Sequence, residues 1–371
     1  MLNQFKNRLS SWVLGPKYGT NFADLQAPAP HLSEPRSDVS DGRASAAAPY
    51  ESIRFPAIER LADVTGADRL SILRAHAPKT AKILEIGPSF SPIAAKREGY
   101  DTYIVDKADR LDLMRGFYGP DHTELHKIED VDFVWSSPDL LDSIPDVHQA
   151  SFDVVIASHV LEHISNPVKF LQALQKLLKP DGYVTLALPD KRHCFDFFRP
   201  VTTTGAWLEA FFRNDHVHTQ RTMFEYLSTV VAQNLEISWA QSVLSVEATT
   251  FCGRSLHEAF EQFSSKPDIS PIRYQDCHAW VFTPTSLSLL VNEVHAVGLI
   301  GLAPDFISST NGTEFFVHLR NAHRRPINPH ERLQLMARVG REQAAGFNGI
   351  APARKRFLRP LLRRFINARK S

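Results

Sequence analysis

An acidic residue and a glycine-containing turn in the first third of the chain could bind a nucleoside. The turn EIGPS (85–89) follows a short apolar run that predicts a strand, and Asp106 ends the next such run, 19 residues after Gly87. An acid at the end of the second strand of a βαβ unit can accept hydrogen bonds from ribose hydroxyls. We therefore expect a nucleoside-containing ligand. An ordinary strand–turn–helix connection beside an exposed aspartate is the alternative.

The turn also discriminates between two nucleoside ligands. A dinucleotide needs glycine where Ser89 and Ser91 stand, because its pyrophosphate approaches the backbone closely at a helix N-terminus. S-adenosylmethionine carries an amino acid and a sulfonium cation, which need backbone contacts and a nearby acid such as Glu85. The turn favours S-adenosylmethionine and leaves a dinucleotide oxidoreductase as a distant alternative.

Candidate acid–base residues follow a later apolar run, FDVVIAS, which predicts a buried strand. His159, Glu162 and His163 come directly after it, where open α/β sheets bind ligands. Imidazole and carboxylate groups are the usual bases for a hydroxyl acceptor. His159 and His163 are candidate bases, with bracing of the following helix and of the glycine turn as the structural alternative.

A polar block, DKRHCFDFFR (190–199), follows the fifth predicted strand and mixes charges with aromatic rings. Such a mixture suits a polar acceptor held against aromatic faces, although phenylalanines equally fit a hydrophobic core. We expect His193 and Asp196 to serve catalysis, and Asp190 and Arg199 to bind the acceptor.

Further histidines and three cysteines lie downstream. His216 and His218 could share one face of an extended segment, but no recognised ligand spacing completes a set, so the sequence predicts no metal. We expect His218 and His278 on the wall of the acceptor pocket. The cysteines are widely spaced without a C-x-x-C pair, which favours a reducing, cytoplasmic compartment.

The elements that must position these residues alternate regularly. From residue 82, apolar runs such as KILEI and YDTYIVD alternate with helical patterns such as PVKFLQALQKLLK. This predicts a parallel sheet in a doubly wound α/β fold. A helix over TPTSLSLLVNEVHAVG and a hairpin around Asn311-Gly312 are expected to close the sheet. Helices are also expected within residues 57–76 and in IAAKREG after the glycine turn.

Breaks in this alternation divide the chain into five segments. Residues 1–50 form an N-terminal segment with a disordered linker rich in Ala, Pro and Ser. Residues 51–189 form the ligand-binding core, and 190–282, without obvious strands, form a helical insertion that builds the acceptor site. Residues 283–321 close the core, and 322–371 form a basic amphipathic tail.

Composition and charge exclude several classes of protein. The 371 residues are 43% hydrophobic and 22% charged with a net charge of +1, which argues against a disordered chain or a membrane bundle. The N-terminus does not resemble a secretory signal. Positions 354–371 hold eight of the 42 Lys and Arg residues and no acid. An acidic body with such a tail is a poor nucleic-acid binder, but the tail could contact a membrane peripherally or a protein partner.

These motifs together resemble class I S-adenosylmethionine-dependent methyltransferases. KILEIG, YDTYIVD and SFDVVIASHVLEH followed by LLKPDGYVTLALPD carry the resemblance over residues 80–190. It implies a Rossmann-like, mostly parallel seven-stranded sheet with an antiparallel C-terminal hairpin, and S-adenosyl-L-methionine as cofactor. The usual GxGxG turn reads GPSFS here. LEIGPS, SHVLEH and PDKRHCFDFFRP are together similar to a bacterial branch associated with sugars and cell-surface glycans.

The resemblance also implies roles for individual residues. The glycine turn contacts the methionine half of the cofactor, the acid ending the second strand binds the ribose, and residues after the third strand flank the adenine. Residues after the fourth strand, His163 among them, line the methyl-transfer site. The cofactor-binding set on this chain is Glu85, Gly87, Pro88, Ser89, Asp106, Trp135, Ser136, Ser158, His159 and Glu162.

The function we expect from the sequence is O-methylation of a sugar or glycan hydroxyl. In-line methyl transfer needs the acceptor held behind the methyl carbon with water excluded, which the insertion could provide. A small-molecule or lipid-quinone acceptor is the alternative among enzymes. A degenerate cofactor-binding scaffold is the alternative without catalysis, because the loop glycines are missing.

Overall fold

Seven strands form one sheet within residues 61–116, 124–240, 244–265 and 275–348, which the computed structural model describes. The strands of the chain are β1 (Lys82–Ile86), β2 (Asp101–Asp106), β3 (Phe133–Val134), β4 (Phe152–Ser158), β5 (Leu178–Pro189), β6 (Val231–Gln233), β7 (Thr249–Phe251), β8 (Leu302–Ile307) and β9 (Glu314–Asn321). The helices are α1 (Arg69–Leu73), α2 (Arg110–Gly116), α3 (Pro167–Leu177), α4 (Thr204–Phe212), α5 (Gln220–Thr229), α6 (Leu256–Ser264), α7 (Pro284–Ala296) and α8 (Pro329–Asn348).

The strand order of the main sheet is β3-β2-β1-β4-β5-β9-β8. Strands β1 to β5 pair in parallel, and β9 runs antiparallel between β5 and β8. This confirms the predicted doubly wound, mostly parallel seven-stranded sheet and its closing hairpin. The strand order reverses between β1 and β4, and ligands of open α/β sheets bind at the carboxyl ends of the strands beside such a reversal.

The helices that cover the sheet begin at strong sequence signals. Asn166 caps α3 by accepting a hydrogen bond from the Lys169 N–H, and α7 begins with a capping box between Thr283 and Ser286. Both helices carry proline in the first turn, where its missing N–H costs nothing. The apolar faces of α3 and α7 join the larger core cluster, while α1 packs on the opposite face of the sheet. The sheet is therefore covered on both faces, by α3 and α7 on one and by α1 on the other, and its carboxyl edge is held between them.

Two predicted helices are much shorter than expected. Within the described part of 57–76 only Arg69–Leu73 is helical, because Ala62 instead pairs with Ser308 and Gly66 turns the chain at a positive φ of 75°. After the glycine turn only a 3₁₀ turn at Lys96–Glu98 forms, where IAAKREG predicts a helix. The Glu85 carboxylate accepts hydrogen bonds from the N–H groups of Ile93 and Ala94, which holds this segment in place without a helix.

The sequence predicts a helical insertion between β5 and α7, but the structure of this segment is only partly helical. It contains α4, α5 and α6, but also β6 and β7, which pair antiparallel as a separate two-stranded sheet. Strands of three residues carry too little alternation to be recognised in a sequence. The insertion has its own hydrophobic cluster, in which Met223, Tyr226 and Leu227 of α5 pack with Ala259 of α6 and with Cys277.

The segment predicted as a tail begins with a helix that packs on the core. Leu335 and Val339 of α8 are buried, and Arg332 pairs with Glu293 of α7 at 2.5 Å. The linker (23–50) and the basic stretch 354–371 lie outside the described residues, so their predicted properties stay predictions. None of the described helices is long and apolar enough to cross a membrane.

Substitution of Gly253 tests the packing of the insertion. A Cβ atom at Gly253 would lie 2.1 Å from the carbonyl oxygen of Leu227, which is backbone and cannot move aside easily. We expect Gly253→Ala to lower the free energy of unfolding by about 1–3 kcal/mol, measured by urea denaturation. Gly205→Ala in α4 is the control, since its Cβ would meet nothing closer than 3.9 Å. Equal stability of the two variants would contradict the described packing.

Candidate functional site

The glycine turn reverses the chain at the end of β1. Gly87 has a positive φ of 65° and donates its N–H to the carbonyl of Val105, while Ser89 also has a positive φ, of 47°. Glu85, one residue before the end of β1, is buried and accepts the Ile93 and Ala94 N–H groups at 2.5 and 3.0 Å. Burial raises the pKa of Glu85 to about 7. The observed role of Glu85 is to hold the turn, and its contact with a cofactor stays a prediction.

Asp106 lies at the carboxyl end of β2, beside this turn. Its side chain is buried, and its two oxygens accept the N–H groups of Ser89 at 3.1 Å and Lys107 at 2.8 Å. Burial raises the pKa of Asp106, and the backbone hydrogen bonds oppose that shift. Trp135, after β3, donates its N–H to the carbonyl of Asp106 and stacks on Phe170. The structure thus brings together the predicted ribose and adenine residues, with Pro88 in the turn and Ser136 beside Trp135.

His159 bridges two carboxylates just beyond β4. It has a positive φ of 55°, and its ring nitrogens lie 3.2 Å from Glu162 and 2.9 Å from Glu314 at the start of β9. Burial alone lowers the pKa of His159, but the hydrogen bonds to Glu162 and Glu314 outweigh it and raise the pKa to about 9. His159 is therefore an imidazolium at neutral pH, the wrong form for a general base.

Arg69 of α1 completes this edge of the site. It donates from Nε to Glu314 at 2.7 Å and from its terminal nitrogen to the Ser158 hydroxyl at 2.7 Å. Glu314 reaches the edge because it pairs with Pro189, the last residue of β5. The ends of β4 and β9 are thus joined through the side chains of Arg69 and Glu314, and backbone pairing joins β9 to β5.

A buried cluster of imidazoles and carboxylates lies next to His159. Glu162 and His163 stand in the 3₁₀ turn after β4, and His278 comes from the end of the insertion. One nitrogen or oxygen atom of each of these three side chains lies within 4.8 Å of the others. The Nδ1 atom of His163 lies 2.8 Å from Asp276, and that of His278 lies 2.5 Å from Asp196. The cluster pairs each histidine with an aspartate.

Arg199 stabilises the cluster through Asp196 and the backbone of His278. It donates from Nη1 to Asp196 at 2.7 Å and to the carbonyl of His278 at 2.7 Å, and it is buried against the ring of Tyr226. Burial would raise the pKa of Asp196, but His278 and Arg199 outweigh it and lower the pKa to about 2. Asp196 is therefore ionised at neutral pH and holds both neighbours.

Three other predicted residues are not part of the two Asp–His pairs. Asp190 is buried and accepts hydrogen bonds from the side chains of Arg192 and Thr310. Burial raises the pKa of Asp190, but these hydrogen bonds outweigh it and lower the pKa. The Nδ1 atom of His193 lies 3.1 Å from the carbonyl of Trp239. Burial, with a smaller effect from His163, lowers the pKa of His218 to about 4, so His218 is neutral at pH 7. Their roles toward an acceptor stay predictions.

Sequence reasoning missed Arg69, Glu314 and Asp276. Asp276 carried a signal, since it stands two residues before His278 in a segment already noted for its imidazole. Arg69 and Glu314 carried none, because their positions depend on the packing of α1 and on the register of β9 against β5.

The site therefore joins a glycine turn and a strand-end acid to a cluster of histidines at the reversal point of a Rossmann-like sheet. The methyltransferase domain family matches residues 57–294, and the chain belongs to this family. A methyltransferase domain agrees with the S-adenosyl-L-methionine cofactor expected from the sequence.

Two curated relatives match shorter stretches of the chain. The ubiquinone biosynthesis O-methyltransferase of Pectobacterium atrosepticum is 32% identical over 109 residues, which cover 28% of this chain and 40% of the relative. The highly reducing polyketide synthase pkhB of Emericella nidulans is 33% identical over 121 residues, 30% of this chain and 4% of the relative. The aligned stretches thus span less than half of either relative.

Among solved structures, the CcbJ methyltransferase from Streptomyces caelestis overlaps 68% of this chain and 93% of its own, at 12% identity and a TM-score of 0.35. An overlap this limited carries no conclusion about function.

The raised pKa of Glu85 predicts a pH-dependent stability. Because Glu85 binds its proton more tightly when folded, its stabilisation is fully present below pH 4.5 and is lost as pH rises through about 7. The unfolding free energy of wild type, relative to Glu85→Gln, should fall by about 3 kcal/mol over this range in urea titrations. Exposed Glu98→Gln should follow wild type. A pH-independent difference between wild type and Glu85→Gln would show that folding does not change the pKa of Glu85.

Proposed function

We propose that the chain transfers the methyl group of S-adenosyl-L-methionine to a hydroxyl oxygen, with a sugar or glycan as acceptor. The observation that carries this proposal is a buried cluster of two Asp–His pairs and Glu162 at the sheet edge that also carries the predicted cofactor residues. S-adenosyl-L-methionine supplies an electrophilic methyl group, so the chain has to orient an acceptor and favour its ionised oxygen.

The residues of the glycine turn fit this cofactor. Gly87 is exposed, and a Cβ atom there would meet Val160 Cγ2 at 3.3 Å, so glycine keeps the backbone open to a ligand. Each oxygen of Asp106 holds one N–H group and, as a carboxylate oxygen, can accept a further hydrogen bond. That capacity suits ribose hydroxyls. The serines at positions 89 and 91 then face no pyrophosphate.

The acceptor side of the proposal rests on the histidine cluster. An aspartate on Nδ1 keeps the proton on that nitrogen and leaves Nε2 as the basic atom of the ring. The Nδ1 atom of His278 is hydrogen-bonded to Asp196 in this way, and that of His163 lies 2.8 Å from Asp276. His159, already protonated, orients Glu162 and Glu314. The two Asp–His pairs therefore activate the hydroxyl group, and the insertion that carries His278 excludes water.

The chemistry of the acceptor has two candidates. Aromatic side chains after β5, with Phe198 partly exposed, suit the apolar faces of a sugar ring. The ubiquinone biosynthesis O-methyltransferase among the relatives supports instead a small-molecule or lipid-quinone acceptor. Both candidates require the same activated oxygen.

Cofactor affinity tests the first half of the proposal. Asp106→Asn should weaken S-adenosylmethionine binding by about 10- to 100-fold in calorimetric titration, because a charge-assisted hydrogen bond is lost. Asp101→Asn, at the opposite end of β2, is the matched control and should bind like wild type. NAD should not bind. Failure of wild type to bind S-adenosylmethionine would favour the scaffold hypothesis over catalysis.

Turnover tests the second half. Release of S-adenosylhomocysteine should be stimulated by a hydroxyl acceptor in a panel of nucleotide sugars, glycans and catechols. Asp276→Asn should lower kcat by at least about 10-fold with unchanged cofactor affinity, because His163 loses its orienting partner. Asp101→Asn again serves as the control. Stimulation by catechols alone would replace the sugar assignment, and a cofactor-side defect in Asp276→Asn would contradict its place on the acceptor side.

The proposal includes a reducing, cytoplasmic location. Cys194, Cys252 and Cys277 are all unpaired, and two of them are buried, as is common for proteins of reducing compartments. Contact of the segment 354–371 with an anionic membrane or with a partner remains part of the proposal. It would bring a lipid-linked acceptor within reach.

A further inference from the structure

One carboxylate oxygen in the histidine cluster has no donor. Glu162 is fully buried, and its Oε2 atom has no hydrogen-bond partner among the described residues, while Oε1 lies 3.2 Å from His159. A buried carboxylate oxygen without a donor is costly, so something else is expected to satisfy it. The rings of His163 and His278 each have a nitrogen atom within 4.8 Å of a Glu162 carboxylate oxygen and could share a ligand with this residue.

The two histidines are prepared as ligands by their aspartates. His163 and His278 are both buried, and each has its Nδ1 atom on a carboxylate, that of Asp276 or Asp196. Metal-binding histidines almost always have such a partner on the second ring nitrogen, because it fixes the tautomer and orients the ring. The Nε2 atom of His163 lies 4.0 Å from Oε1 of Glu162. Two oriented imidazoles and one unsatisfied carboxylate oxygen therefore share one buried space.

We propose that Glu162, His163 and His278 bind one divalent transition-metal ion, with zinc as the redox-inert choice. Two imidazoles and a carboxylate form a ligand set used by zinc and non-haem iron, whereas magnesium and calcium prefer oxygen ligands alone. Zinc takes four or five ligands, so three protein ligands leave a position open, as in catalytic sites. The ion would satisfy Glu162 Oε2.

The sequence could not show this site. Glu162 and His163 are adjacent, but the third ligand lies beyond the whole insertion, so no short spacing connects them. The pair that sequence spacing did single out does not converge. His216 contacts Asn214, whereas His218 is buried within the insertion.

The chemical use of the ion rests on the proposed function. A bound divalent ion acts as a Lewis acid and lowers the pKa of a coordinated hydroxyl group, as it does for water. An acceptor with a hydroxyl oxygen at the open position would then be ionised at neutral pH. With the ion bound, the Nε2 atoms of His163 and His278 would be ligands, so the ion would replace them in activating the hydroxyl group. The metal site deepens the proposal by naming the acceptor class: a molecule whose reacting hydroxyl can coordinate a metal.

Metal binding to the full-length chain tests this inference without any turnover. Protein dialysed against a chelator is titrated with Zn²⁺ by calorimetry and with Co²⁺ by visible absorption. We expect one equivalent per chain, a Co²⁺ ligand-field spectrum, and a rise in thermal midpoint on the order of 5 °C at a hundredfold excess of Zn²⁺ over Kd. Glu162→Gln and His278→Gln should each weaken binding at least about 100-fold.

The control is His257→Gln, which removes an exposed histidine of α6 and should leave the spectrum and the affinity unchanged. Glu162→Gln is isosteric and removes a buried charge, so it keeps the test valid if His278→Gln does not fold. One tight equivalent that survives in Glu162→Gln would overturn the assignment, as would the absence of binding. S-adenosylmethionine titration of the same samples separates the two proposals. Cofactor binding without metal binding leaves the proposed function standing and removes only the metal.

Discussion

The buried carboxylate of Glu162 is the constraint on which the site depends. A charge without solvent access must be compensated by positioned donors or cations. His159, His163 and His278 surround it, and its backbone carbonyl accepts the N–H groups of Ala279 and Trp280. The end of the insertion is thus hydrogen-bonded to the turn after β4 through the main chain of Glu162, whose side chain lies within 4.8 Å of His278.

The sheet supplies the geometry that makes this compensation possible. The ends of β1, β2 and β4 carry the glycine turn, Asp106 and His159, and the register of β9 against β5 brings Glu314 to the same edge. Arg69 then joins β4 to β9 through Ser158 and Glu314. The two sides of the site are held by different means. Backbone amides anchor Glu85 and Asp106, whereas ion pairs between residues distant in sequence anchor His159, His163 and His278.

Sequence patterns predicted the sheet, the closing hairpin and the edge on which the candidate residues lie, because strand-length apolar runs and terminal turn residues are local signals. They overestimated the helices around the glycine turn, since the Glu85 carboxylate competes there for the amides of Ile93 and Ala94. The pairing of Asp276 with His163 and of Asp196 with His278 could not be predicted. These pairings depend on how the insertion packs on the core, and the periodicity of the sequence does not predict that packing.

The missing helix after the glycine turn has a consequence for selectivity inside a cell. A helix that begins at such a turn presents a positive dipole end, which attracts the phosphates of abundant adenine nucleotides. Here the segment from Gly87 to Lys96 lacks that end, and a carboxylate already occupies two of its amides. ATP and NAD would meet neither free amides at these two positions nor a favourable field. An adenine nucleotide would therefore lose this attraction at the turn without meeting a steric barrier.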